Sequence, residues 1–212
     1  MSSRLDKDSA YQEFLDWIHN SCEPGLIDPA SDAEPRILDA HVLRAYFAGN
    51  NYYKLNKLLR IIFQGEEVPV DADKVAKDCA QVFCTLLLIG KPEYIQRFVE
   101  YDHLQDSHLP FDDQYPPAHF PKCTSDKDPS KFLRRFCQEQ WTVCAPKIDF
   151  QEHRIFQDGR ILPIKIKKRL GGGGSAILYK IEIHPAYNQL APSNGAPQVS
   201  RCPFAQYFLV LS

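Results

Sequence analysis

Four consecutive glycines, Gly171 to Gly174, separate two stretches in which apolar and polar residues alternate. Ile164 and Ile166 mark the first stretch, and Ile177 opens the second, which runs to His184. Alternation with a period of two predicts strands, and glycine adopts backbone conformations that other residues avoid. The sequence therefore predicts a β-hairpin whose glycine-rich turn allows backbone N–H groups to approach an anion.

Two common phosphate-binding motifs do not fit this glycine run. A Walker loop needs Lys followed by Ser or Thr directly after its glycines, whereas Ser175-Ala176 stands here. A dinucleotide-binding loop opens a helix, but Ile177 to Ile183 alternates as a strand does. The remaining arrangement is strand, glycine turn, strand.

The period of the apolar pattern changes near residue 145, from that of helices to that of strands. The sequence therefore predicts an α+β protein. A mainly α-helical region is expected over residues 1–145, and a small antiparallel β segment over residues 146–212. The first expected helix begins at a capping box at Ser9, and the second spans Ile37–Phe47 and ends before a break at Asn50-Asn51. A third helix carries the apolar residues from Leu55 to Phe63, and a fourth runs from an Asp71 cap to Gly90. A fifth extends from Pro92 to Tyr101, and a last one begins at Asp128-Pro129.

Turn-forming residues predict the connections between these elements. A loop is expected from Pro24 to Pro35, and residues 102–128 are expected to be an ordered connector or a partly disordered loop. Asp158-Gly159 predicts a hairpin between two short apolar runs. A turn-rich insertion then spans Tyr187–Arg201, and the last strand is expected over Phe204–Leu211.

The charge of the chain is distributed unevenly. The net charge of −2 gives no electrostatic basis for binding nucleic acid. Residues 160–184, however, hold six Lys and Arg residues against Glu182 alone, so the glycine run lies in a basic segment. A phosphate ligand and a solvated strand face both account for such a segment.

Cysteine usage and hydropathy suggest an intracellular protein. The seven cysteines include no C-x-x-C pair and no tetrad at metal-ligand spacing, so reduced thiols and no metal site are expected. No apolar run has the length of a membrane span, and the first residues lack the apolar core of a signal peptide. We expect a cytoplasmic protein without a membrane partner, and a nuclear location stays open.

The glycine run resembles the glycine-rich loop of protein kinases, whose pattern is G-x-G-x-x-G-x-V. Gly171 and Gly173 match its first two glycines, Ala176 stands at the third, and Leu178 stands at the valine that packs on adenine. The resemblance implies ATP as the cofactor. The residues that would line it are Gly171, Gly172, Gly173, Gly174, Ser175, Ala176 and Leu178.

The resemblance extends to a group of fungal protein-kinase-like proteins, in which a helical N-terminal region precedes the kinase domain. The matching segments are Ile161–Ile164, Tyr179–Pro185, Phe83–Gly90, Leu109–Phe111 and Gln140-Trp141. This resemblance implies that the β segment corresponds to the first strands of a kinase small lobe, truncated after the glycine-rich loop. A complete parent protein would be a Ser/Thr kinase that uses ATP and Mg.

The chain also departs from the kinase pattern. Leu211 or Ser212 stands where the phosphate-binding lysine of the third strand is expected, and neither H-R-D nor D-F-G occurs. No catalytic residue is therefore assigned. The expected function is that of an N-terminal portion of a kinase-like protein, with vestigial ATP binding and no phosphotransfer by this chain.

Two other functions stay open. The helical region is a candidate protein-interaction or regulatory module that binds a protein partner and no nucleotide. A phosphate- or phospholipid-binding surface formed by Lys165, Lys167, Lys168 and Arg169 is the third hypothesis.

Overall fold

The structure is a computed structural model that describes residues 2–26, 35–64, 67–122, 130–148, 160–173, 176–189 and 206–211. The fold is α+β, and the chain divides into two units. Residues 1–22 and 38–144 form a helical unit, and residues 23–37 and 145–212 form a strand unit. The strand unit thus includes residues 23–37, although the apolar pattern predicts a helical region over residues 1–145.

Six helices lie in the described part of the helical unit. Single 3₁₀ turns at Pro92–Tyr94, Asp102–Leu104, Asp106–His108 and Gln140–Thr142 accompany them. The helices are α1 (Ser2–Ser21), α2 (Ala40–Phe63), α3 (Ala72–Asp78), α4 (Ala80–Leu88), α5 (Ile95–Glu100) and α6 (Ser130–Glu139).

The first two helices begin at residues other than those predicted. Helix α1 begins at Ser2, so Ser9 lies within it and does not cap it. Helix α2 begins after Asp39, whose carboxylate accepts the N–H of His41 at 2.7 Å. Ile37, which was predicted to open this helix, belongs to a short strand of the strand unit. A local side-chain cap at Asp39 therefore sets the start of α2.

The predicted break at Asn50-Asn51 is confirmed. Gly49 has a non-helical backbone, and Asn50, Asn51 and Tyr52 all have positive φ angles. Asparagine tolerates this left-handed conformation better than most residues do. The apolar residues from Leu55 onward then continue the helical pattern as predicted.

The prediction of a single helix between Asp71 and Gly90 is wrong, because two helices occupy this range. Asp71 caps the first by accepting the N–H of Asp73 at 2.9 Å, and Gly90, with φ of 69°, follows the second. The chain leaves helical geometry at Cys79, whose φ and ψ are −133° and 20°. Asp106 accepts the N–H groups of the new helix at Gln81 and Val82, at 3.0 Å each. A cap from a distant residue cannot be read from local sequence.

The core of the helical unit consists of aromatic and aliphatic side chains from most of its helices. Each fully buried Phe or Leu contributes about 1.5–3 kcal/mol relative to an exposed one. Phe47 stacks on Phe14 with ring centroids 6.0 Å apart, and Phe98 stacks on Phe136 at 5.5 Å. The largest fully buried side chains are Phe14, Phe47, Phe83, Phe98, Phe132, Phe136, Ile37, Leu38, Leu43, Leu55, Leu59 and Leu86; all but Ile37 belong to this unit.

Gln140 anchors the connector that precedes helix α6. Its side chain is fully buried, and its Oε1 atom accepts the N–H of Phe111 at 2.8 Å. Its Nε2 atom donates to the carbonyl oxygens of Phe111, at 2.8 Å, and Cys137, at 3.0 Å. This side chain holds the chain at Phe111, so residues 102–122 form an ordered connector, one of the two alternatives predicted for residues 102–128. Residues 123–128 lie outside the described residues.

The described strands of the second unit form two antiparallel sheets. Strand β4 lies between β3 and β5, and β1 pairs with β2. Leu162, Ile164, Ile181 and Ile183 form a buried cluster beneath the larger sheet. The strands are β1 (Glu23–Pro24), β2 (Arg36–Ile37), β3 (Ile164–Gly173), β4 (Ala176–Ile183) and β5 (Gln206–Leu211).

The predicted strands around the glycine run are confirmed, and so is a last strand within Phe204–Leu211. The turn and first arm of the hairpin predicted at Asp158-Gly159 lie outside the described residues. Leu162, from the second arm, pairs with Leu26. A Cβ atom on Gly25 would lie 2.5 Å from the Cγ2 atom of Ile161, so glycine permits this close approach.

Replacing Gln140 with alanine should destabilise the helical unit by about 3 kcal/mol, because the buried N–H and C=O of Phe111 lose their partner. Urea unfolding followed by tryptophan fluorescence measures this, since Trp17 and Trp141 both belong to the helical unit. The control is Gln12→Ala, which removes an exposed hydrogen bond to Asp16 and should cost less than about 0.5 kcal/mol. Equal losses in the two variants would contradict the anchoring role of Gln140.

Candidate functional site

The glycine run lies at one end of the β3–β4 hairpin. Strand β3 ends at Gly173 and β4 begins at Ala176, and these two residues face each other in the ladder. Gly172 pairs with Ile177, and Gly171 pairs with Leu178. The structure therefore brings together the predicted site residues that it describes, while Gly174 and Ser175 lie outside the described residues.

Gly171 occupies an open position. A Cβ atom built on it would meet no atom within 4 Å, and its φ lies outside the left-handed region. Neither packing nor backbone conformation thus requires glycine at this position. The space above its backbone is accessible to a ligand, and a side chain there would obstruct that approach without straining the fold.

Strand β3 has two irregularities in its pairing with β4. The register shifts between Ile164 and Ile166 and again between Arg169 and Gly171. The second shift leaves Leu170 as an extra residue, 48% exposed, just before the glycines. Bulges of this kind bend a strand and are frequent beside functional sites. Residues 168–171 are all exposed, so both faces of β3 are open to solvent there.

At the other end of the hairpin, Glu23 joins two basic side chains. Its carboxylate lies 2.6 Å from Nζ of Lys165 on β3 and 2.7 Å from Nε2 of His184, which follows β4. Burial acts to raise the pKa of Glu23, but Lys165 and His184 outweigh it, so this pKa is lowered. Lys165, one of the cations proposed for a phosphate surface, is thus engaged within the strand unit.

The pairing of β4 with β5 locates the position at which the kinase resemblance expects a lysine. Leu178 faces Val210, and Ile177 faces Leu211. Leu211 is one of the two residues named for that position, and the other, Ser212, lies outside the described residues. The last described residue of β5 therefore brings no cation to the glycine end of the hairpin.

The helical unit contains a cleft of about 650 Å³ between the connector and helices α5 and α6. Pro116, Phe120 and Leu133 form much of its wall. Arg97 lines it as well, but this guanidinium is 3.0 Å from Glu100 and lies over the ring of Tyr101. The cleft therefore has a mixed lining, in which Asp113 and Lys122 stand beside the apolar residues and the arginine is already paired.

A second hollow in the helical unit, of about 160 Å³, adjoins Asp106. Burial raises the pKa of Asp106 to about 6, although hydrogen bonds from Val82 and Gln81 and the charge of Arg44 lower it. A perturbed carboxyl group in a hollow is a general indicator of a functional site. Here the two carboxylate oxygens already accept N–H groups of α4, so a structural role as the cap of that helix explains why Asp106 is buried.

Three further findings bear on function. Within the described residues, His, Cys, Asp and Glu side chains nowhere gather in a group of three or more that could hold a metal ion. None of the helices in the described ranges combines the length and apolar character needed to cross a membrane. Comparison with protein-family models, with curated proteins and with solved structures found no match to this chain.

The ion pairs of Glu23 predict that the stability of the strand unit depends on pH. Folding lowers the pKa of Glu23 below its usual value of 4.5. The stability that the charged carboxylate contributes is therefore complete above pH 4.5, and it is lost as the pH falls through the lowered pKa. The Glu23→Gln variant should therefore be less stable than wild type at neutral pH, and the difference should vanish in acid. Amide hydrogen exchange of β3 and β4, corrected for intrinsic exchange rates, measures this difference.

The matched control is Glu182→Gln on β4, since Glu182 forms no ion pair among the described side chains. Its effect on exchange should be small at both pH values. A loss of protection in Glu23→Gln that is the same at neutral and acidic pH would contradict the electrostatic role of Glu23.

Proposed function

We propose that the glycine-rich hairpin binds the phosphates of ATP and that the chain is the N-terminal part of a protein-kinase-like protein. The observation that carries this proposal is the β3–β4–β5 antiparallel order, with the glycines at the end of the first hairpin. Strand, glycine turn and strand is the arrangement that covers nucleotide phosphates in kinases.

The chemistry of the hairpin supports an anionic ligand. Backbone N–H groups of a glycine-rich turn provide donors to phosphate oxygens without side-chain obstruction. The open position at Gly171 provides the approach. The backbone of Gly171 to Ala176 would hold the phosphates of ATP. By resemblance to kinases, Leu178 would pack against the adenine.

The same residues do not provide a metal site. No Asp or Glu occurs from Ile164 to Lys180, and the first carboxylate of the hairpin is Glu182. Magnesium binds through oxygen ligands, usually one or two carboxylates together with substrate phosphates. Magnesium would therefore arrive with the nucleotide, bound to its phosphates.

Phosphoryl transfer is not part of the proposed function of this chain. Transfer in kinases needs a lysine on the phosphates, a catalytic aspartate and a metal-binding aspartate. The motifs that carry these aspartates are missing from the sequence, and Leu211 or Ser212 stands at the lysine position. The proposed role is nucleotide binding, and phosphotransfer assays should give no turnover.

Isothermal titration calorimetry with Mg·ATP tests the proposal. A hairpin that contacts the nucleotide from one side should bind with a dissociation constant on the order of 0.1–1 mM. The Gly171→Val variant should weaken binding by about tenfold or more, equivalent to about 1.4 kcal/mol, because its side chain occupies the open space above the backbone of residue 171.

Gly49→Val is the matched control. Gly49 belongs to the helical unit, and a Cβ atom added to it would, as at Gly171, meet no atom within 4 Å. The affinity of this variant for Mg·ATP should stay within about twofold of wild type. Absence of Mg·ATP binding by the wild-type chain would overturn the proposal and favour the alternative, a helical protein-interaction module without nucleotide.

A further inference from the structure

The register of the hairpin places two lysines directly opposite each other. Lys168 on β3 pairs with Lys180 on β4. Directly opposed residues of an antiparallel pair project from the same face of the sheet, with Cβ atoms about 4.5–5.5 Å apart. Ile181, the neighbour of Lys180, is buried in the apolar cluster, so the two lysines lie on the face away from that cluster.

Two like charges at this spacing destabilise a strand pair. Among the residues that the structure describes, neither Lys168 nor Lys180 has an ion-pair or hydrogen-bond partner. Lys165, three positions earlier on β3, differs because the Glu23 carboxylate lies 2.6 Å from its ammonium group. The strand unit thus pairs Lys165 with a carboxylate, whereas the described residues give the two opposed lysines no such ion pair.

The other charged residues near the pair are Glu182, Arg169 and Lys167. Glu182 faces Ile166, two residues beyond Lys180 on β4 and therefore on the same face, and it is partly buried. Arg169 faces Tyr179, so the alternation of the strand places it on the opposite face. An anion between the two lysines would therefore be attracted by both ammonium groups and repelled by the single Glu182 carboxylate, with Arg169 on the far side of the sheet.

We infer that Lys168 and Lys180 form a binding site for a phosphate group that carries at least two negative charges. Lysine provides compact, mobile ammonium groups that suit phosphate oxygens, and a doubly charged phosphate would neutralise both. The site is separate from the glycine residues, since Lys168 lies three residues, about 10 Å along the strand, from Gly171. This inference does not depend on nucleotide binding by the glycines.

Calorimetric titration with inorganic tripolyphosphate tests the site. The titrations use full-length protein carrying Gly171→Val, so that the glycine turn contributes little to the measured heat. Lys168→Gln and Lys180→Gln should each weaken tripolyphosphate binding by about tenfold, because each removes one of the two charges that contact the anion. Amide exchange in β4 should slow on addition of tripolyphosphate, and this slowing should be absent in Lys180→Gln.

Arg169→Gln is the matched control, since it removes one positive charge from the adjacent residue but from the opposite face. Its affinity should change by less than about twofold. An equal loss in Arg169→Gln and Lys168→Gln would overturn the inference, because binding would then follow net charge. Absence of saturable binding both to tripolyphosphate and to vesicles that carry a phosphoinositide would overturn it as well.

A vesicle experiment distinguishes the source of the phosphate. Sedimentation is measured with phosphatidylcholine vesicles that contain phosphatidylinositol 4,5-bisphosphate, and with phosphatidylcholine vesicles alone. Cosedimentation that needs the phosphoinositide and is lost in Lys168→Gln and Lys180→Gln supports the site with a lipid headgroup as its ligand. Lysine-dependent binding of tripolyphosphate without cosedimentation supports the site with a soluble phosphate compound as its ligand.

Discussion

The strand unit depends on the pairing of β4 with both of its neighbours. Strand β4 is central, and its register fixes which residues of β3 and β5 stand together. The β3–β4 pairing ends at Gly173 and Ala176, and this register places Gly171 opposite Leu178. A shift of one residue would move every side chain of a strand to the other face. The open glycine end and the opposed lysines are therefore both consequences of one register.

A short segment from early in the chain completes this unit. Leu26 pairs with Leu162, and Gly25 allows the backbone to approach Ile161 closely. Glu23 then places a carboxylate between Lys165 and His184. The segment thus adds backbone pairing and neutralises charge at one end of the hairpin, whereas Lys168 and Lys180 remain opposed. This difference separates a structural lysine from lysines available to a ligand.

In the helical unit, polar side chains from distant parts of the chain hold irregular backbone. Asp106 accepts the N–H groups at the start of α4, and Gln140 pairs with both backbone groups of Phe111. Buried backbone groups are costly without partners, so such side chains determine where helices break and where loops lie. The apolar core by itself would tolerate other breaks, because burial of apolar area is not directional.

The sequence determined the features that depend on neighbouring residues: the helical and strand periods, the break at Asn50-Asn51, the Asp71 cap and the glycine-rich hairpin. Only the tertiary structure decided features that join distant residues. These are the helix break at Cys79, where Asp106 caps the following helix, the inclusion of residues 23–37 in the strand unit, and the pairing of Lys168 with Lys180. Periodicity reports which face of an element is apolar, but it contains no information about which distant polar group meets a free amide or a charge.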